Sequence, residues 1–545
     1  MELLIIILFC FVLPFVVLIK PIKTAIKEKK NIKEFIILYK WELLLVVILI
    51  IGSLVRLVAL GQIPNGLNVD EASSGYDGYS IMKYGIDRGG NSYPVYLYAW
   101  GSGQSVLYSY LMIPVLAVTG LTEYGIRLPM AIIGIISLYV FYYLFKTIFE
   151  NKKIALVGTF FFAICPWHIM KSRWGMECNL FPDLILLGTL FLILGIKKKK
   201  ISLQLLAFVI FSISSYSYGT SYLFLPVFIL GTIVYLIHKK ELTLKRALLL
   251  LLVMLVLCVP IILYIIINTF NLEQFKILGI TIPKLVANRQ EVATTIFSGN
   301  VFENCLNNLL DTVKLIIIQH DNLEWNAIPG YGMFYLVSII FFIYGIHLSI
   351  KKYKDNKFNS IMNIWMLSSL VLASFCLVNI NRINIIMIPC IYYVVLGLYE
   401  FFDKYKTMIP CIVIIYIYLF TNFILDYKSQ DYNNYFTFTS GVKEVAEYCE
   451  KEDALEIYCQ YSFKEPFIYF MFYNETNVYE YLNSVQYFKE KGIFDNIKSF
   501  GRYNFYMPEE IKEGYIVIVP NGTEFEYEIE AKEIININQF DLYKF

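Results

Sequence analysis

Apolar residues fill this chain in long unbroken runs, separated by short polar links. Runs of helix-spanning length cover roughly 2–19, 41–60, 126–147, 154–168, 181–196, 201–217, 221–237, 247–268, 331–350, 360–378, 384–402 and 407–425. A bilayer core needs about 20 helical residues to cross it, so the pattern predicts about twelve membrane-spanning helices, several of them short. The links alternate in charge: 20–33, 146–153, 197–200, 238–246, 351–357 and 403–406 are basic. Every second link is therefore basic, as the positive-inside rule requires of cytoplasmic loops. The other side receives a first outer loop at 61–125, a second at 169–180, the short turn at Tyr218, a long loop at 269–330, the link 379–383 and everything beyond about 426.

The first run lacks a basic segment before it and a small-residue cleavage site after it, so it reads as a retained helix rather than a signal peptide. In the first outer loop, 72–84 and 102–118 read as amphipathic helices lying along the interface, with Trp100 just before the second. Beyond 426 acidic residues outnumber basic ones. The strand-like runs 455–461, 514–519 and 525–537, with a helix-like stretch at 442–452, predict a small external α/β domain. The division is then an N-terminal helix and basic cytoplasmic linker (1–40), a membrane domain (41–425) and an extracytoplasmic domain (426–545). Asn474-Glu475-Thr476 and Asn521-Gly522-Thr523 match the glycosylation acceptor pattern, which matters only in a secretory-pathway host.

Composition narrows the class. The chain is 58% hydrophobic and 17% charged, more apolar surface than a soluble fold can hide, so it is a polytopic α-helical membrane protein. A net charge of +2 argues against nucleic acid as a main partner. The ten cysteines form no CxxC or Cys/His metal spacing; Cys449 and Cys459, in the polar domain, could pair. His168 and His320 are isolated. No metal ligand and no cofactor is assigned, and dependence on a divalent metal stays open.

Ionisable residues without a topogenic role gather on one face. They are Asp70, Glu71, Lys83, Asp87 and Arg88 in the first loop, and Arg127 at the start of the next span. Lys171, Arg173 and Glu177 lie in the second loop, Arg289 and His320 in the long one, and Arg382 in the short link. The spans are nearly free of charge at mid-depth, with Arg56 only a turn from a helix end, which disfavours a pump or a flippase. Carboxylates beside Arg and Lys at a membrane surface suit reaction of a lipid-linked phosphate. Arg binds phosphate oxygens bidentately and stabilises charge on the departing group, while a carboxylate takes the proton of an acceptor hydroxyl. That is the minimum for an inverting glycosyl transfer. No Walker loop, Ser/His/Asp order or HExxH motif competes with it.

Asp70-Glu71-Ala72, Gly75-Tyr76, Gly85-Ile86-Asp87, Gly90 and Pro94 resemble the first outer loop of bacterial dolichyl-phosphate-mannose–protein mannosyltransferase-type enzymes, membrane glycosyltransferases of the GT-C fold. Leu107-Tyr108-Ser109-Tyr110, Pro114 and Arg127-Leu128-Pro129 continue the likeness. Cys165-Pro166-Trp167-His168 and Ser172-Arg173-Trp174-Gly175-Met176-Glu177-Cys178-Asn179 are similar to the second-loop signature of that family. Tyr216-Ser217-Tyr218, Leu225-Pro226, Asn381-Arg382-Ile383 and Pro389 also fit. The likeness covers about 41–240 well and 380–400 moderately. It implies Asp70 as the catalytic carboxylate with Glu71 beside it, Glu177 shaping the site, and a polyprenyl-phosphate-linked sugar as donor.

The expectation is a GT-C glycosyltransferase of the cell membrane with about twelve spans and an external C-terminal α/β domain. It would work on the external face, moving a sugar from the lipid donor to a protein, cell-wall polymer or lipid, with inversion. Arg173, Arg382 and Arg127 are the phosphate candidates, and Tyr218 is a candidate for the sugar or lipid channel. An oligosaccharide ligase or polymerase is the alternative, ahead of a lipid-linked-glycan flippase and a non-catalytic membrane scaffold.

Overall fold

The computed structural model describes residues 2–287, 299–323, 325–429, 438–459, 464–488, 496–523 and 529–545. Arg289, residues 460–461 and 525–528 of two expected strands, and the link 430–437 lie outside them. Among the described residues, eight helices are long and apolar enough to cross a membrane. Two bent pairs, Ile32–Leu38 with Lys40–Leu57 and Lys152–Ile164 with Pro166–Ser172, make ten if each is one span. Leu107–Thr119, Ile201–Ser214 and Leu336–Lys351 are shorter apolar helices. The difference from the expected twelve has local causes. Pro166 has no amide hydrogen to continue the helix before it, so the 154–168 run breaks there. The 201–217 run stops at Ser214, in a serine-rich stretch whose hydroxyls bond nearby backbone carbonyls.

Polar contacts draw the basic links together at one end of the bundle. Lys152 pairs with Glu42, Lys357 with Glu241 and Lys352 with Glu400, each at 2.6 Å. Lys197 pairs with Glu150, and Asn151 donates to the Tyr399 hydroxyl at 2.7 Å. The opposite helix ends carry the acidic motif and the C-terminal domain.

That site end is built from a few helices: α1 (Lys40–Leu57), α2 (Val69–Tyr84), α3 (Leu107–Thr119), α4 (Glu123–Phe149), α5 (Lys152–Ile164), α6 (Pro166–Ser172) and α7 (Glu177–Lys197). The stretch 72–84 was expected on a membrane surface; the structure encloses it. Twelve of the sixteen residues of α2 are buried. Its many small residues let neighbours approach closely. A Cβ on Gly78 would lie 2.9 Å from the Ser109 carbonyl oxygen of α3.

What encloses α2 is the C-terminal domain. Its described strands form a seven-stranded mixed sheet: β1 (Glu456–Cys459), β2 (Gln486–Tyr487), β3 (Ile497–Phe500), β4 (Tyr503–Asn504), β5 (Tyr515–Pro520), β6 (Glu533–Ile537) and β7 (Phe540–Lys544), in the order β2-β3-β4-β1-β5-β7-β6. Central β1 is parallel to both neighbours, and parallel pairing needs a crossover. Part of that crossover is α8 (Pro466–Tyr473), whose buried aromatic residues pack against α2. Tyr76 donates to the Thr476 carbonyl at 2.7 Å and Tyr79 to the Glu475 carboxylate at 2.8 Å. Asn474 in turn donates to the Tyr503 hydroxyl at 2.8 Å, so this acceptor-pattern triplet is a domain contact. Cys449 and Cys459, expected as a possible pair, are both buried and no disulfide joins them.

Candidate active site

Asn68 caps α2. Its side chain accepts from the Asp70 amide at 3.0 Å while its own amide donates to Glu71 Oε2 at 3.1 Å, a reciprocal capping box. The cap places Asp70 and Glu71 in the first turn, where the helix dipole favours negative charge. The two carboxylates face different surroundings.

Glu71 is fully buried and saturated. Arg127 of α4 grips it with Nε and Nη2, both at 2.9 Å, and the Gly175 amide donates to Oε1 at 2.7 Å. Gly175 is required by this approach, since a Cβ there would meet the Ile126 carbonyl oxygen at 2.9 Å and Glu71 Oε1 at 3.4 Å. The other donors of Arg127 go to the Leu60, Pro64 and Gly66 carbonyls at 3.4, 2.8 and 2.6 Å. Arg173 is consumed in the same way. Its two Nη groups hold the Val55, Val58, Ala59 and Ile63 carbonyls at 2.9–3.1 Å. Both guanidiniums thereby clamp the chain leading into α2.

Asp70 is partly exposed. Among the described residues, one donor reaches its carboxylate: Trp100 Nε1, at 3.2 Å from Oδ1. Glu177 begins α7 and is connected to Asp70 through Gln104. The Gln104 amide nitrogen donates to Glu177 Oε2 at 2.9 Å and lies 3.4 Å from the Asp70 carbonyl oxygen. Gln104 Oε1 accepts from Ser73 at 2.9 Å, and Ser73 accepts from Arg88 at 2.8 Å. Arg88 lies 4.6 Å above the Trp100 ring and 3.8 Å from Asp77. Sequence reasoning missed Trp100, Gln104 and Ser73 as parts of the site, and no motif marks them. Only their position between Asp70 and α3 carried a signal.

Tyr218 lies in the turn between Ile201–Ser214 and Ser221–His238. Burial, with Cys178 and Glu177 adding, pushes its phenol well above the usual range, while Arg382 pulls it back. It therefore senses both Glu177 and Arg382. Arg382 is partly exposed. Its side chain donates to the Leu377 carbonyl at 3.3 Å, and no carboxylate pairs with it among the described residues. Asn384, two residues on, donates to the Cys178 carbonyl at 2.7 Å and ties this link to α7. Lys83 rests over Tyr79 and Tyr84 at the far end of α2.

A second polar group lies behind the site. Arg56 Nη2 and His168 Nδ1 are 2.6 Å apart, His168 Nε2 is 3.5 Å from Asp183 Oδ1, and Lys171 Nζ is 2.6 Å from Asp183 Oδ2. All four side chains are buried, and they brace α1, α6 and α7 together. His320 accepts from the Asn322 amide in its own turn. Among the described residues, no three His, Cys, Asp or Glu side chains gather as metal ligands.

Residues 104–264 match the model of the dolichyl-phosphate-mannose-protein mannosyltransferase family. A search of curated proteins finds no sequence match. Among solved structures, ArnT from Cupriavidus metallidurans bound to undecaprenyl phosphate aligns with a TM-score of 0.54 at 12% identity, over 79% of this chain and 84% of that one. The Archaeoglobus fulgidus oligosaccharyltransferase in complex with Zn and sulfate aligns with a TM-score of 0.48 at 14% identity, over 74% of this chain and 55% of that one. The oligosaccharyltransferase AglB of Archaeoglobus fulgidus, with an inhibitory peptide and a dolichol-phosphate, gives 0.48 at 12% identity, over 84% and 65%. This chain thus spans little more than half the length of the first oligosaccharyltransferase. It has the GT-C fold, and over residues 104–264 it carries the sequence pattern of the dolichyl-phosphate-mannose-protein mannosyltransferase family, a combination that supports a glycosyltransferase.

Proposed function

We propose that this protein transfers a glycosyl group from a polyprenyl-phosphate-linked sugar to an acceptor hydroxyl, with inversion, at the extracytoplasmic surface of the cell membrane. The observation that carries the reading is the division of labour in the acidic pair. Glu71 is saturated by Arg127 and backbone amides, whereas Asp70, one residue away, is partly exposed and is linked to Glu177 through Gln104. Asp70 takes the proton of the acceptor hydroxyl as its oxygen bonds to the anomeric carbon. The bond from that carbon to the phosphate oxygen breaks, and its electron pair leaves with the polyprenyl phosphate.

Arg382 fits the phosphate, since it is partly exposed and no carboxylate among the described residues pairs with it, while Arg127 and Arg173 are engaged by protein groups. Tyr218 lies within electrostatic reach of both Glu177 and Arg382, which supports a place for it beside the donor. A divalent metal, if bound, would neutralise charge on the departing phosphate, and Asp70 and Glu177 are the nearby carboxylates with oxygen ligands to offer. The ion pairs that collect the basic links at the opposite end support placing the site outside. The acceptor is a protein, a cell-wall polymer or a lipid.

The test presents purified protein in lipid nanodiscs with polyprenyl-phosphate hexoses labelled in the sugar, together with an acceptor extract. Transfer or release of sugar from one donor, with the opposite anomeric configuration in the product, is the expected result. Intact donors throughout, or retained configuration, would contradict the reading.

A further inference from the structure

Hydrogen bonds around the Asp70 and Glu177 carboxylates have a fixed direction. Arg can only donate, so in the bond of Arg88 Nη2 to Ser73 Oγ at 2.8 Å the hydroxyl oxygen is the acceptor. Its own hydrogen then points to Gln104 Oε1 at 2.9 Å. With the amide oxygen engaged, the Gln104 amide nitrogen must face Glu177 Oε2 at 2.9 Å. A nitrogen donor at that end makes Glu177 Oε2 the acceptor. The second branch behaves alike. The Trp100 indole N–H is donor only, and it ends on Asp70 Oδ1 at 3.2 Å.

Both branches rest on Arg88. Its guanidinium stacks 4.6 Å over the Trp100 ring, while Phe467 of the C-terminal domain meets that ring edge-on at 6.1 Å. Trp100 is thereby fixed on two sides, 1% exposed, with its N–H aimed at Asp70.

We infer that Trp100 and Gln104, anchored by Arg88, are positioning residues that hold Asp70 and Glu177 as oriented hydrogen-bond acceptors, Asp70 thereby ready to take the acceptor proton. This deepens the proposed transfer reaction and rests on it. The arrangement also gives the C-terminal domain a part in catalysis, because Phe467 helps fix the Trp100 ring.

The test compares wild type with Trp100→Phe, Gln104→Glu and Asp70→Asn, each in nanodiscs with labelled polyprenyl-phosphate hexose. Trp100→Phe keeps an aromatic ring beside Arg88 and Phe467 but removes the N–H together with the pyrrole part of the indole. Gln104→Glu keeps the size but sets an acceptor against Glu177. The expected result for both is a kcat lower by about tenfold or more with KM within about twofold. The acid limb of the kcat–pH profile moves to higher pH, because a carboxylate that loses a donor holds its proton more tightly. Glu71, Asp77, Cys178, Tyr218 and Tyr469 are the other titratable groups near the pair. The phenols and the thiol titrate on the alkaline side, and Glu71 and Asp77 are left unaltered in all variants. Wild-type kcat and pH profile in both variants, with Asp70→Asn inactive, would overturn the inference and leave the transfer reading intact. Activity in Asp70→Asn would instead remove the reading beneath it. If Trp100→Phe does not accumulate, Gln104→Glu decides alone.

Discussion

The Glu71–Arg127 pair separates a structural from a catalytic reading of the motif, and Arg127→Met is the perturbation that does so. Both side chains have no solvent exposure. The substitution removes two charge-assisted bonds to Glu71 and leaves the carboxylate with the Asn68 and Gly175 amides at 3.1 and 2.7 Å. It also orphans the Leu60, Pro64 and Gly66 carbonyls. Removing one partner of a buried ion pair costs about 3–5 kcal/mol, because the other charge stays behind without compensation. At about 1.4 kcal/mol per factor of ten, that is a loss of two to three and a half powers of ten in the folded-to-unfolded ratio. Removing both charges together, in Glu71→Leu with Arg127→Met, leaves no uncompensated ion, so the double variant should be more stable than Arg127→Met alone. The assay is thermal unfolding in nanodiscs followed by size-exclusion fluorescence, for the wild type, both single variants and the double variant. Wild-type unfolding of Arg127→Met together with a raised KM for the lipid donor would refute the reasoning and place Arg127 on the substrate phosphate.

Arg382→Gln should unfold like the wild type, since its side-chain bond is one 3.3 Å contact on a partly exposed link, yet raise the donor KM about tenfold in steady-state transfer. Asp183→Asn leaves Lys171 without its carboxylate partner in the interior and should cost about 3–5 kcal/mol in the same unfolding assay, well beyond any effect on KM. Burial, with the neighbouring Asp77 adding, pushes Asp87 up to about 7, from 3.8 when unfolded, while the Tyr98 and Asn91 amides pull it back. A raised carboxyl pKa stabilises the fold fully below about 3.8 and loses that contribution as pH rises through about 7. The unfolding midpoint should therefore fall between about pH 4 and 7, and Asp87→Asn should flatten that fall.

The membrane architecture was legible because its cause is one-dimensional. Apolar runs and basic links must follow the bilayer, and the lysines of alternate links do collect at one end. Asp70 stood out through its motif and its place just beyond a span, and the structure sets it, partly exposed, in the first turn of α2. The burial of α2 was not, because enclosure comes from residues about 400 positions away, in α8 and the segment that follows it. Arg127 and Arg173 looked like phosphate ligands because a sequence shows charge but not the carbonyls that consume it. Asp183 drew no notice inside an apolar run, since its partners Lys171 and His168 lie on another helix. Trp100 and Gln104 look like ordinary loop residues until the fold brings them to the acids.

The most direct measurement is single-turnover sugar transfer from a labelled polyprenyl-phosphate hexose by wild type and Asp70→Asn, at equal abundance and with equal unfolding midpoints. The account expects transfer to fall by at least about a hundredfold in the variant, the contribution of a general base, with donor binding retained. A variant that transfers sugar at the wild-type rate would contradict the assignment of Asp70 as the base.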